Sequence, residues 1–233
     1  MASSPSSTRR ERLRAEALDE IRAHGYAQIA EGGPTALSLN GIAKAMGMSG
    51  PAMYRYFASR DALLATLVTE SYEQLADALE AAAQEARRRA PEGRLRATAQ
   101  AFRTWALAQP HRYRLVFGST YGSGALDPER IVPASQRSMH VFLTAIAELR
   151  PAGGPPPAPG GPLGRELSTW GRASGEPFPS GVLLLGLTAW TRLHGVVSLE
   201  IEGTFAQMGL DPARLYDAEL DHLVAQCAAA AAG

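Results

Sequence analysis

Residues 38–57 read SLNGIAKAMGMSGPAMYRYF. Ser38 stands just before Leu39, Ile42, Ala43 and Met46, apolar positions three and four apart, which predicts a short helix with a serine cap. Gly47 ends it, a residue free to take the positive φ of a tight turn. Ser49 can cap a second short helix. Pro51 falls in its first turn, where a missing N–H costs nothing, and Met53 and Phe57 lie four apart on its inner face. Two short helices joined by a glycine turn form a helix-turn-helix, with Ile42, Ala43, Met53 and Phe57 locking the pair. The spacing also fits a plain helical hairpin whose tyrosines cover core. The outward residues Gly50, Ala52, Tyr54, Arg55 and Tyr56 favour a DNA reader. Small side chains let a helix sit deep in the major groove, tyrosine hydroxyls donate to phosphate, and Arg55 can reach a phosphate or a guanine edge.

The charge around this stretch agrees. The 233 residues carry 23 basic and 23 acidic side chains, a formal net charge of zero. That sum excludes a polycation coating nucleic acid through overall charge, but it hides an uneven distribution. Gly32 to Arg60 holds Lys44, Arg55 and Arg60 and no acid, so nothing there repels phosphate. Arg9, Arg10, Arg12 and Arg14 precede it. Glu200, Glu202, Asp211, Asp217, Glu219 and Asp221 stand against Arg214 alone near the other end, an acidic share expected to discourage non-specific wrapping.

Outward from the motif, the chain reads as all-α. A helix is expected over Thr8 to Ile29, broken at Gly25. Ser59 caps another with Asp61 in its first turn, running to about Arg89 before Pro91. Leu95, Ala99, Phe102 and Ala106 make a stripe. His111 to Phe117 is a short helix, Gly118 to Gly124 a loop, and Pro128 to Leu149 a helix that Pro133 could kink or delay. Eleven of the fourteen residues from Pro151 to Gly164 are Pro or Gly, so a flexible loop, about 151–175, is expected, either closing over a pocket or disordered. Ser180 to Glu202 is apolar nearly all round, and Asp211-Pro212 opens a last helix with Tyr216, Leu220, Leu223, Val224 and Cys227 on one face.

The pattern Ser38-x3-Ile42-Ala43-x2-Met46-Gly47-Met48-Ser49-x4-Tyr54-x-Tyr56-Phe57-x-Ser59-Arg60-x2-Leu63 closely resembles the DNA-binding domain of TetR/AcrR-type transcriptional regulators, over about Thr8 to Leu67. Three features depart from it: Pro51 in place of a small polar residue or Gly, Arg60 in place of Lys, and an added-looking Gly32-Gly33-Pro34. The resemblance implies a three-helix DNA-binding domain at 1–67 and a helical effector-binding and dimerisation domain at 68–233. It implies a homodimer bound to a double-stranded palindromic operator and released by a small, largely apolar effector. By the same resemblance Ser38 meets phosphate, and Ser49, Gly50, Pro51, Ala52 and Tyr54 face the groove. Arg55 reads a base, Tyr56 and Arg60 bind phosphate, and Lys44 adds to the interface. Arg9, Arg10 and Arg12 form either a basic arm reaching an adjacent groove or a disordered tail.

Trp190-x3-His194-Gly195 resembles a short motif of one subgroup of these regulators. A helix apolar on all sides must be covered on all sides. The last two long helices therefore either form a dimer seam, with Gly181, Gly186 and Gly195 allowing close approach, or are internal core. Candidates for lining an effector pocket are Phe102, Trp105, Tyr113, Phe117, Tyr121, Phe142, Trp170, Phe178, Trp190 and His194. Each could equally be core.

Catalysis finds no support. Gly118–Gly124 lacks the strand before and the Lys-Ser/Thr after that a phosphate loop needs. The five histidines lack metal-ligand spacing, and Asp221-His222 near Cys227 is better explained by a thiol on an apolar stripe. No metal or cofactor is expected. One cysteine excludes a disulfide framework. Met1 to Arg14 lacks an apolar signal region, and the apolar run Val182–Trp190 is short of the ~20 residues of a membrane span, so a cytoplasmic protein is expected. The alternative is a helical ligand- or partner-binding protein that keeps the fold without regulating DNA.

Overall fold

A computed structural model describes residues 5–118, 128–149, 158–175 and 178–229. The elements are α1 (Pro5–Gly32), a 3₁₀ turn (Pro34–Ala36), α2 (Leu39–Ala45), α3 (Gly50–Met53), α4 (Arg60–Ala86), α5 (Pro91–Ala108), α6 (Pro110–Phe117), α7 (Pro128–Glu148), α8 (Gly161–Ala173), α9 (Ser180–Ile201), α10 (Thr204–Gln207) and α11 (Pro212–Ala229). Among the described residues there is no strand, as the periodicity requires. The chain divides into two compact units, 1–72 with 111–131, and 73–110 with 132–233.

In the first unit α1 is continuous through Gly25. Gly25 is buried, and a Cβ there would stand 3.0 Å from Leu67 Cδ1, so its missing side chain serves packing and does not break the helix. Ile21, Ile29, Leu39, Ile42, Met53, Phe57, Leu63 and Leu67 form the core. Tyr26 adds a buried ring whose hydroxyl donates to Leu67 O at 2.8 Å, and burial pushes its pKa up to about 12. Arg112 of α6 stacks 3.6 Å from the centre of that ring, and Tyr72 Oη donates to Val116 O at 3.0 Å.

In the second unit α5, α9 and α11 pack together around Tyr216, which is fully buried and donates to Ala99 O at 2.6 Å. Burial raises its pKa strongly. Leu143, Leu167 and Leu183 form a second cluster from α7, α8 and α9. α7 runs through Pro133, whose ring is on the exposed side beside Val132 while Ala134 is buried. Much of the segment expected as a flexible loop over 151–175 is helical. Pro162 sits in the first turn of α8, where proline starts a helix and does not break one, and Leu167 and Gly171 supply its buried side. Residues 150–157, 176–177 and 119–127 lie outside the described set, and with them most of the expected Gly118–Gly124 loop.

α9 is long and apolar enough, by length and composition, to cross a membrane, which corrects the expectation that rested on the nine-residue run Val182–Trp190 alone. Val182, Leu183, Ala189, Leu193, Val196 and Val197 are buried against their own chain. Gly186 belongs to that inner side. A Cβ there would come 2.3 Å from Leu143 Cδ2, so this glycine serves α7–α9 packing within one chain, whereas a Cβ on Gly195 would meet nothing within 4 Å.

Candidate nucleic-acid interface

The local sequence chemistry builds the helix-turn-helix. Ser38 Oγ accepts from Gly41 N at 3.1 Å and caps α2. Gly47 adopts φ 64, Met48 N donates to Ala43 O at 2.8 Å and Gly47 N to Lys44 O at 3.3 Å, a glycine C-cap that turns the chain within two residues. Ser49 Oγ accepts from Ala52 N at 3.4 Å at the start of α3. Ser59 Oγ accepts from Ala62 N at 3.1 Å at the start of α4. Met53 and Phe57 are buried, as are Ile42 and Ala43 across from them.

The fold leaves the expected reading face in solvent. Tyr54 is 52% exposed, and Pro51, Arg55, Ser49, Ser38 and Lys44 are exposed, while Gly50, Ala52 and Tyr56 are half-buried. Tyr56 is held by Arg14, whose guanidinium lies 5.3 Å from the ring centre. With Arg10, Glu11 and Leu13 the two residues line a cleft of about 360 Å³. Arg14 was not among the expected site residues. It stands one α-turn from Arg10, a spacing that puts both on one helix face.

Arg9, Arg10 and Arg12 are helical, which sets aside the reading of a disordered tail. They lie on α1, with Arg12 3.6 Å from Glu16 one turn on. Arg60 is hydrogen-bonded within the chain. Its Nε donates to Leu37 O at 3.1 Å, its Nη2 to Pro34 O, and its Nη1 to Asp61 Oδ1 at 3.0 Å. Gln28, absent from the sequence reading, accepts the Ser38 N–H at 2.8 Å from the other side of the same connection.

The aromatic pocket candidates fall into separate groups. Tyr113 and Phe117 belong to the first unit, where their rings are 5.1 Å apart. In the second unit Trp190 stacks on His194 at 4.9 Å, with Phe102 6.3 Å beyond. Burial lowers the His194 pKa, because desolvation disfavours the charged imidazolium. Trp170 and Phe178 pack on the Leu143–Leu167–Leu183 cluster, Phe142 is buried, and Tyr121 lies outside the described residues. A cavity of about 420 Å³ opens between α4 and α5. Ala78, Ala82, Ala97, Ala101 and Thr104 line it, and Trp105 is the one aromatic candidate on its wall. Among the described residues no group of His, Cys, Asp and Glu could hold a metal.

Comparison with known proteins agrees with this architecture. Residues 15–67 match the model described as bacterial regulatory proteins, tetR family, and residues 95–223 match tetracyclin repressor-like, C-terminal domain. The HTH-type transcriptional regulator Rv1816 of Mycobacterium tuberculosis is 31% identical over 223 residues, covering 91% of this chain and 94% of the relative. Mb1846 of Mycobacterium bovis, likewise described as an HTH-type transcriptional regulator, matches at the same identity and coverage. The crystal structure of SCO4313 superposes with TM-score 0.77 at 42% identity, over 91% of this chain and 97% of that one. The TetR family transcriptional regulator PfmR from Thermus thermophilus shares the fold, with TM-score 0.58 at 17% identity over 88% of this chain and 96% of that one.

Proposed function

The chain belongs to the TetR family of bacterial transcriptional regulators, and on that premise we propose that it is a cytoplasmic, ligand-responsive repressor. It binds a palindromic operator as a homodimer and is released by a small, largely apolar effector. The observation that carries this reading is the pairing of a tightly capped and packed helix-turn-helix with an exposed Tyr54–Arg55 face in an acid-free stretch. Two such faces in a dimer, roughly one DNA turn or more apart, would read half-sites in successive major grooves.

The effector part rests on the α4–α5 cavity, whose volume of about 420 Å³ suits a small molecule and whose wall combines alanines and Trp105 with Glu85, Arg89 and Gln100. The stacked Trp190–His194 pair is a second place for an aromatic contact. A ligand that favours the DNA-incompetent conformation shifts the population and frees the operator. The dimer part rests on the outer side of α9, where Gly195 faces open space and Leu199 is 45% exposed.

Titrating the protein into labelled fragments of its own promoter region, at several salt concentrations, tests the reading. Arg55→Ala is expected to cost about 1–3 kcal/mol on the selected site and much less on random DNA, because a base contact discriminates. Tyr56→Phe is expected to weaken both DNAs alike, since a phosphate contact carries no sequence information. Failure to bind any fragment in a salt-dependent way would refute the repressor reading and leave a helical binding protein.

A further inference from the structure

Resting on the DNA-binding reading above, we infer that Arg60 is a positioning residue that buckles the first turn of α4 to the 34–37 connection and thereby fixes where α2 begins. The resemblance put a phosphate-binding cation here. Each nitrogen of this guanidinium has an acceptor within the chain, three of its five N–H groups in all: Nε on Leu37 O at 3.1 Å, Nη2 on Pro34 O, Nη1 on Asp61 Oδ1 at 3.0 Å. Asp61 also offsets the charge locally.

The connection is gripped from its far side as well. Gln28 of α1 accepts the Ser38 N–H at 2.8 Å, and Gly41 is so close that a Cβ there would stand 2.9 Å from Gln28 Nε2. Ser38 in turn caps α2. The residue that starts the helix-turn-helix is thus set by one side chain from α1 and one from α4. The arginine fork suits this task. Two neighbouring carbonyls accept from different nitrogens of one rigid plane, a span the single nitrogen of lysine cannot reproduce. Arg60 therefore acts on DNA through Ser38 and α2.

The test uses the full chain and two measurements. The first is binding to a selected DNA fragment between about 50 and 200 mM salt for the wild type, Arg60→Lys, Arg60→Ala and Gln28→Met. The second is native-state hydrogen exchange at the Ser38 and Gly41 amides in the absence of DNA. Arg60→Lys is expected to weaken binding about tenfold, the scale of losing charge-assisted hydrogen bonds, with the salt slope unchanged. It is also expected to speed exchange at both amides, and Gln28→Met to reproduce the pair of changes. A phosphate contact behaves oppositely: Arg60→Lys binds like wild type and Arg60→Ala lowers the slope by about one. Either result overturns the inference. If the wild type binds no DNA, the functional reading fails by itself, and the exchange measurement still decides the buckle, since unchanged protection in Arg60→Lys refutes it.

Discussion

Met53→Ala is expected to destabilise the N-terminal unit by about 2–5 kcal/mol and to abolish site-specific DNA binding with it. Met53 is fully buried, and it is the one buried residue of α3, a helix of four residues. A single turn has no stability of its own in water. What holds it is the Ser49 cap on one side and the Met53 side chain packed among Ile42, Leu63 and their neighbours on the other. Truncation removes the anchor and leaves a cavity that α2 and α4, fixed by their own caps, cannot collapse to fill. The recognition segment then loses its fixed orientation before the rest of the chain unfolds. Urea denaturation followed by circular dichroism measures the total loss. Hydrogen exchange over residues 38–57 shows that the loss is local to this unit. Ala58→Ser, at an exposed position just beyond, serves as the control and should stay within about 0.5 kcal/mol of wild type. A Met53→Ala protein as stable as this control would refute the anchoring role.

The helix-turn-helix was legible because its determinants are local: caps, a glycine turn and apolar spacing all lie within twenty residues. The failures share a physical cause, namely partners far away in sequence. Gly25 looks like a helix break, and only the approach of Leu67 reveals that it is there for packing. Arg60 offers a cation beside the motif, and the carbonyls of Pro34 and Leu37 that accept from it come from more than twenty residues away. The Pro/Gly composition around 151–164 concealed α8. Pro162 followed by Leu163, Leu167 and Trp170 carried the usual start signal and spacing of a helix. The aromatic candidates show the limit of composition most clearly. Their types suit a pocket, but spacing along helices does not say which of them share a cavity, and the structure distributes them over both units.

The acids of the C-terminal region are expected from the sequence to discourage non-specific wrapping. Several of them also pair with groups on neighbouring helices, Asp217 and Asp221 while exposed. Asp217 accepts from Gln100 at 2.8 Å, Glu219 pairs with Arg192 at 2.6 Å, and Asp221 meets Arg96. Glu200 is the most enclosed, with its side chain 12% exposed. It takes Arg103 in a two-pronged contact, with Nε at 2.8 Å, and the Arg103 side chain is itself 18% exposed. Arg103 also lies 5.8 Å from the ring centre of Tyr216, so the pair joins α5 and α9 beside the buried anchor of α11.

Glu200→Ala is therefore expected to cost about 3–5 kcal/mol, because it leaves a guanidinium desolvated without its partner. Replacing both members, as Arg103→Met with Glu200→Leu, should recover most of that loss, since the penalty comes from the stranded charge and not from the absence of a pair. Urea unfolding at low and high salt separates this from a surface effect, as an enclosed pair is poorly screened whereas an exposed one fades. If Glu200→Ala costs only the ~1 kcal/mol or less of an exposed pair and salt removes the difference, then the Arg103–Glu200 pair does not hold α5 to α9.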